Sequence, residues 1–150
     1  MLNESMHSPP ERKQLPHNIP GWVNKNDYWL ITICCSPRNV NQLAKTNVSK
    51  TISEAFLHYK EKKQWDYLIW TAMPDHLHFI ARFSHQYGMQ KTIVNFKHYI
   101  AAKHKITWQN DFFDHRLRSS KECSEKSIYV WLNPVRAKLV NDPNDWPHRG

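Results

Sequence analysis

Two apolar runs separated by one Pro-Asp pair constrain this chain more than any other feature. Tyr67 to Met73 is the first run and His76 to Phe83 the second, with Pro74 and Asp75 between them. Runs of this composition favour strands, and Pro and Asp are both good turn residues. The segment therefore predicts a tight antiparallel hairpin. Side chains alternate along a strand, so Leu77, Phe79, Ala81 and Phe83 share one apolar face that belongs in a core. His76, His78, Ile80 and Arg82 share the other.

The remaining elements follow from periodicity. Tyr28 to Cys35 reads as a strand ended by Pro37. Val48, Ile52, Ala55, Phe56 and Tyr59 recur at helical spacing, so residues 47–63 read as an amphipathic helix, with basic Lys60 to Lys63 at its last turn. Residues 89–105 read as a second helix, with Ile93, Phe96, Ile100 and Ala101 on one stripe. Phe112 to Arg118 reads as a fourth strand and residues 122–132 as a third helix. Pro134 is expected to stop that helix and to open a short one through Leu139. Pro9, Pro10, Pro16 and Pro20 mark residues 1–20 as a flexible tail, with a domain expected over 21–147 and a short tail at 148–150.

A chain of 150 residues fits one domain of this kind. The element order predicts an α+β fold: a ferredoxin-like antiparallel sheet of four to five strands, with helices packed on one face and the other left for a ligand. A membrane-spanning helix needs about 20 apolar residues and none is present, nor is there an apolar segment of secretory type in residues 1–27. The three Cys do not suggest a disulfide framework, and Cys34 and Cys35, being adjacent, would point to opposite sides of a strand. A reduced, cytoplasmic protein is the simplest expectation.

Charge points to a partner. Lys plus Arg number 21 against 13 Asp plus Glu, a formal net charge of +8. Residues 1–27 are balanced, so the excess lies beyond them. Lys91, Lys97, Lys103, Lys105, Arg116, Arg118 and Lys121 face only Asp111 and Asp114 in their stretch, with Trp108, Phe112 and Phe113 interleaved. Basic groups release counterions from phosphates and aromatic faces stack on bases, so nucleic acid is the natural partner. A solvated basic face is the plainer alternative.

The histidine pair carries the chemistry. On one strand face, the Cα atoms of His76 and His78 should lie roughly 6.5–7 Å apart, close enough for two imidazoles to converge on one metal ion. The same pattern also fits a turn cap at His76 and a surface residue at His78. His98 and His104 in the basic helix suit solvent or phosphate, as does His115. A metal beside a basic groove calls for a nucleophile, and tyrosine is the remaining candidate. Tyr129 has Asn133 four residues on, on the same helix face, where the amide could complete a metal site. Tyr99 has Lys103 in the corresponding place, and an ammonium cannot ligate. This favours Tyr129 over Tyr99, although Tyr129 could equally be a core residue and Asn133 a cap before Pro134.

Pro74-Asp75-His76-Leu77-His78 resembles the His-hydrophobic-His signature of the HUH superfamily of endonucleases. Trp108 to Arg118, followed by Tyr129 to Val140 and by Asn144-Asp145-Trp146-Pro147, resembles the REP-associated tyrosine transposases, relatives of the insertion-sequence transposases. The resemblance covers roughly residues 21–147. It implies a divalent metal, Mg²⁺ or Mn²⁺, on His76, His78 and Asn133, with Tyr129 as nucleophile. It implies a single-stranded DNA substrate beside hairpin-forming palindromes, cleaved and rejoined through a 5′-phosphotyrosine. It also implies a nucleoid-associated, membrane-free protein that works as a monomer or homodimer. Lys97, Lys103, Lys105, Trp108, His115, Arg116 and Arg118 are the expected DNA contacts. Lys138 departs from the family, which often has Gly there before Leu. Two other readings stay open: a DNA-hairpin-binding module without cleavage, and a metal-dependent hydrolase using water as nucleophile.

Overall fold

The structure, a computed structural model, describes residues 27–150. The expected tail at 1–20 and the boundary near Gly21 lie outside the described residues. The elements are β1 (Trp29–Cys34), α1 (Thr46–Glu61), β2 (Trp65–Ala72), β3 (His76–Phe83), α2 (Met89–His104), β4 (Phe113–Arg116) and α3 (Ser120–Arg136), followed by a 3₁₀ turn at Pro143–Asp145. The strands form one antiparallel sheet in the order β2-β3-β1-β4. The Pro74-Asp75 hairpin joins β2 to β3 as the turn chemistry predicts, closed by the Met73 N–H donating to the His76 carbonyl at 2.8 Å.

Alternation along β1 and β3 sorts the side chains onto the two faces. Ile31, Ile33, Leu77, Phe79, Ala81 and Phe83 meet Val48, Ile52, Phe56, Ile93, Phe96 and Ile100 from α1 and α2 in the main core. Phe56 stands at its centre. Its ring stacks on Trp65 at 4.9 Å and on Trp70 at 5.4 Å, and it meets Phe79 edge-on at 5.2 Å. The Trp65 indole N–H, buried beside it, donates to the Phe56 carbonyl at 3.0 Å.

The helix layer consists of α1 and α2 alone. On the other face Ile80, Leu117 and Val130 form a second, smaller cluster, flanked by Tyr28, Leu30, Ile69 and Tyr129. α3 thus lies across the face that carries the histidines, with Val130 packed among those apolar residues. Its start is capped: the Ser119 hydroxyl accepts from the Glu122 N–H at 3.1 Å, and the Glu122 carboxylate accepts from the Arg118 N–H at 2.9 Å.

Pro134 does not end α3, which runs on to Arg136. A proline inside a helix removes the N–H that would reach the carbonyl four residues back, here that of Val130. The Thr71 hydroxyl of β2, fully buried, donates to that carbonyl at 3.1 Å. The vacated acceptor is therefore satisfied from the sheet, and the helix continues through its proline.

Residues 148–150, read as a tail from the sequence, run along the outer edge of β2. The Ala72 N–H donates to the His148 carbonyl at 2.8 Å and the Trp70 N–H to the Gly150 carbonyl at 2.9 Å. Trp146, nearly buried, donates its indole N–H to the Ala72 carbonyl at 3.1 Å. The β2 edge of the sheet is thereby paired. Among the described residues no helix is long and apolar enough to cross a membrane.

Candidate active site

His76 and His78 stand on the α3 face of β3, with ring centroids 4.7 Å apart. Both are more enclosed than two surface residues would be. His78 is 7 % exposed, since α3 covers the strand at this point. Burial, and then the nearby His76 and Arg38 charges, push its imidazole pKa down to about 3, so it is neutral at physiological pH. A neutral imidazole offers a lone pair to a metal without first losing a proton.

Each ring is held through Nδ1. His76 Nδ1 lies 2.7 Å from Asp75 Oδ1, and His78 Nδ1 lies 2.8 Å from Thr32 Oγ1. Thr32 sits directly across from His78 in the β1–β3 register, so the strand pairing itself brings them together. Asp75 is 8 % exposed. Its second oxygen accepts from Arg38 Nε at 2.9 Å and from the Asn39 N–H at 2.8 Å. The His76 hydrogen bond, with those of Asn39 and Arg38 behind it, holds the Asp75 carboxyl well below the usual carboxylate range.

The two tyrosine candidates part company here. Tyr129 approaches from α3, its ring 5.7 Å from the His78 ring in an edge-on arrangement. Two cations flank it: the Arg136 guanidinium lies 4.8 Å and the Lys126 ammonium 5.6 Å from the ring centroid. Asn133 follows one turn along α3 on the side of Tyr129. Tyr99 is on α2, on the other side of the sheet, packed against the main core and hydrogen-bonded by Lys103 Nζ at 2.9 Å. The sheet itself separates Tyr99 from the histidines.

A divalent metal fits this donor set chemically: two imidazole nitrogens with an amide oxygen make a mixed nitrogen and oxygen set that suits a divalent ion such as Mn²⁺ better than a thiolate-preferring one. Among the described residues no group of three or more His, Cys, Asp or Glu could hold a metal.

The basic residues singled out in the sequence fall into separate places. Lys97 is half-buried, donates to the Gln109 carbonyl at 2.7 Å and has its pKa lowered by burial. Trp108 donates its indole N–H to the Lys97 carbonyl at 3.1 Å and packs against the main core. Together they line an open groove with His98 and Asn110. Lys103 and Lys105 are exposed at the end of α2. His115 Nε2 lies 2.7 Å from Oε1 of Glu122, whose other oxygen accepts from the Arg118 N–H, so His115 of β4 is tied to the segment before α3 and to its first turn. Arg116 Nε lies 3.7 Å from Asp27 on the β1 side. The sequence reading passed over Asp75, Thr32, Arg38, Lys126 and Arg136. From the sequence Asp75 reads as a turn residue. The two cations at Tyr129 could have been found from helix spacing, three residues before it and seven after.

The chain matches the family model described as "Transposase IS200 like" over residues 24–124, a span that ends ahead of Tyr129 and Asn133. It is 26% identical over 130 residues to the REP-associated tyrosine transposase of Escherichia coli K12, covering 82% of this chain and 75% of that protein. The structure of a REP-associated tyrosine transposase bound to a REP hairpin superposes with a TM-score of 0.75 at 21% identity, covering 92% of this chain and 81% of the other. A candidate transposase from Deinococcus radiodurans R1 superposes more loosely, with a TM-score of 0.50 at 14% identity over 74% of this chain and 92% of that one. With residues 24–124, more than half of its length, inside the family model, this chain belongs to the IS200-like transposase family.

Proposed function

We propose that the protein is a metal-dependent single-strand DNA transesterase that cleaves and rejoins DNA beside palindromic hairpins, with Tyr129 as its nucleophile. The observation that carries this reading is the seating of the Tyr129 ring against His78, on the sheet face opposite α1 and α2. Family membership supplies transposase activity in general, and a relative of the same fold binds a REP hairpin.

His76, His78 and Asn133 would hold Mg²⁺ or Mn²⁺, which when bound draws charge off the scissile phosphate. The Tyr129 hydroxyl loses its proton and its oxygen bonds to phosphorus, while the bond to the 3′ oxygen breaks. The products are a 5′-phosphotyrosine and a strand ending in a 3′-OH, which takes up a proton. Attack by a second 3′-OH reverses the step and joins two strands, so no nucleotide cofactor is consumed. Arg136 and Lys126, already beside the tyrosine ring, sit where they can offset the charge of the phosphate joined to it. Arg116, Arg118, His115, Lys97, Lys103, Lys105 and Trp108 are the proposed contacts to backbone and bases. Such a protein acts in the cytoplasm, on the nucleoid.

The test is a denaturing gel of protein mixed with labelled hairpin-bearing single-stranded DNA and Mn²⁺ or Mg²⁺. A covalent adduct is expected with the parent and with Tyr99→Phe, and none with Tyr129→Phe. Binding without cleavage on several palindromes would instead identify a hairpin-binding module. Cleavage without an adduct would identify a hydrolase.

A further inference from the structure

We propose that Asp75 is a positioning residue that fixes the tautomer of His76, so that Nδ1 carries the proton and Nε2 presents its lone pair to the site. The proposal rests on the reading of His76 as a ligand, and it is tested without DNA.

The argument is one of donors and acceptors. An ionised carboxylate can only accept hydrogen bonds. Asp75 Oδ2 already receives two, from the Arg38 guanidinium and from the Asn39 N–H, at 2.9 and 2.8 Å. That leaves Oδ1, 2.7 Å from His76 Nδ1, and the nitrogen facing it must carry the hydrogen. In the neutral ring Nε2 then has none. A carboxylate behind a ligating imidazole sets ring angle and tautomer together. The Thr32 hydroxyl beside His78 cannot do the same, because a hydroxyl donates or accepts equally well; it fixes the angle of that ring and leaves the tautomer open.

The anchoring of Oδ2 gives the proposal a sharp consequence. In Asp75→Asn the two donors from Arg38 and Asn39 still demand an acceptor at their position. The amide must place its oxygen there and turn its NH₂ toward His76 Nδ1. A donor at Nδ1 forces the proton onto Nε2, the nitrogen a metal needs. Replacing a buried carboxylate by its amide behind a histidine is known to impose the wrong tautomer in the serine-protease triad.

The experiment uses the full-length, metal-free protein and long-range ¹H–¹⁵N spectra of its histidines at about pH 8. The parent is expected to show His76 with Nδ1 protonated, and Asp75→Asn to show the proton on Nε2. Mn²⁺ binding followed by electron paramagnetic resonance should weaken about 10–100-fold in the variant, the range seen when such partners are lost. A parent spectrum with the proton on Nε2 overturns the proposal by itself, even if Asp75→Asn does not fold. So does a folded variant with an unchanged tautomer or unchanged Mn²⁺ affinity. If these spectra come out as expected and no DNA adduct forms, the transesterase reading fails while this one stands.

Discussion

Replacing Thr71 by valine should loosen α3 by an amount that depends on whether residue 134 is proline. The side chains are nearly the same shape, so the change removes one hydrogen bond, the 3.1 Å contact from the Thr71 hydroxyl to the Val130 carbonyl. Thr71 is fully buried, so water cannot take its place without entering the α3–sheet contact. A buried acceptor left without a donor costs about 1–3 kcal/mol. Ordinarily the carbonyl would have the N–H four residues on, but Pro134 has none. In Pro134→Ala the alanine N–H is in place to take over. The cost of Thr71→Val in that background should then fall by about 1 kcal/mol or more, a coupling that a double-mutant cycle isolates from the lost packing of the proline ring. Urea denaturation of the four proteins supplies the numbers. Equal costs of Thr71→Val in the parent and in the Pro134→Ala background would falsify the claim that the sheet compensates the helix for its proline.

Three further outcomes follow from the packing and the charges. His78 has a folded pKa below its unfolded value near 6.5, so the unfolded chain gains a proton first and stability falls as pH drops from above 6.5 toward about 3. At pH 5 the loss from this group is about 2 kcal/mol relative to pH 8, a figure set by the unfolded value as long as the folded one lies well below 5; denaturation of parent and His78→Gln at both pH values should differ by that amount, and parallel behaviour would contradict the burial of His78. Phe56→Ala opens a cavity among Trp65, Trp70 and Phe79 and should cost about 3–5 kcal/mol, measured by thermal or urea unfolding. Ser119→Ala removes the acceptor for the Glu122 N–H and should cost about 1 kcal/mol, with faster amide exchange in the first turn of α3 and no change in α1.

The hairpin and the two-sided character of β3 were legible from the sequence because a strand has a period of two and one turn separates the runs. That parity alone put His76 and His78 on one face and Phe79 on the other. The path of α3 was not legible. Pro134 reads as a stop by local rules, and what overrides it is Thr71, more than 60 residues away in the chain. Helix spacing favoured Tyr129 over Tyr99 through Asn133, but only the packing shows which side of the sheet each helix takes. The enclosure of His78 follows from the same cause: a strand pattern cannot show that a helix from the other end of the chain will cover it. Asp75 looked like a turn residue and is one, but its hydrogen bonds to Arg38, Asn39 and His76 arise only when the loop after β1 folds back onto the hairpin.

The position of β1 bears on how the chain is made. It lies between β3 and β4, and both neighbours come later in the sequence. On a ribosome adding roughly 5–20 residues per second, about 2–10 s pass between the synthesis of Cys34 and that of Phe83. During that interval Trp29-Leu30-Ile31-Thr32-Ile33-Cys34 has no strand to pair with on either side. The segment is apolar, rich in β-forming residues and uncharged, which makes it a hazard for pairing between chains. α1 is the first element able to shield it, since Val48, Ile52 and Phe56 share a core with Ile31 and Ile33. A nascent chain stalled before β3 would therefore expose one sticky strand with half a cover, and the cell's holding chaperones would meet this protein at that length rather than at its end.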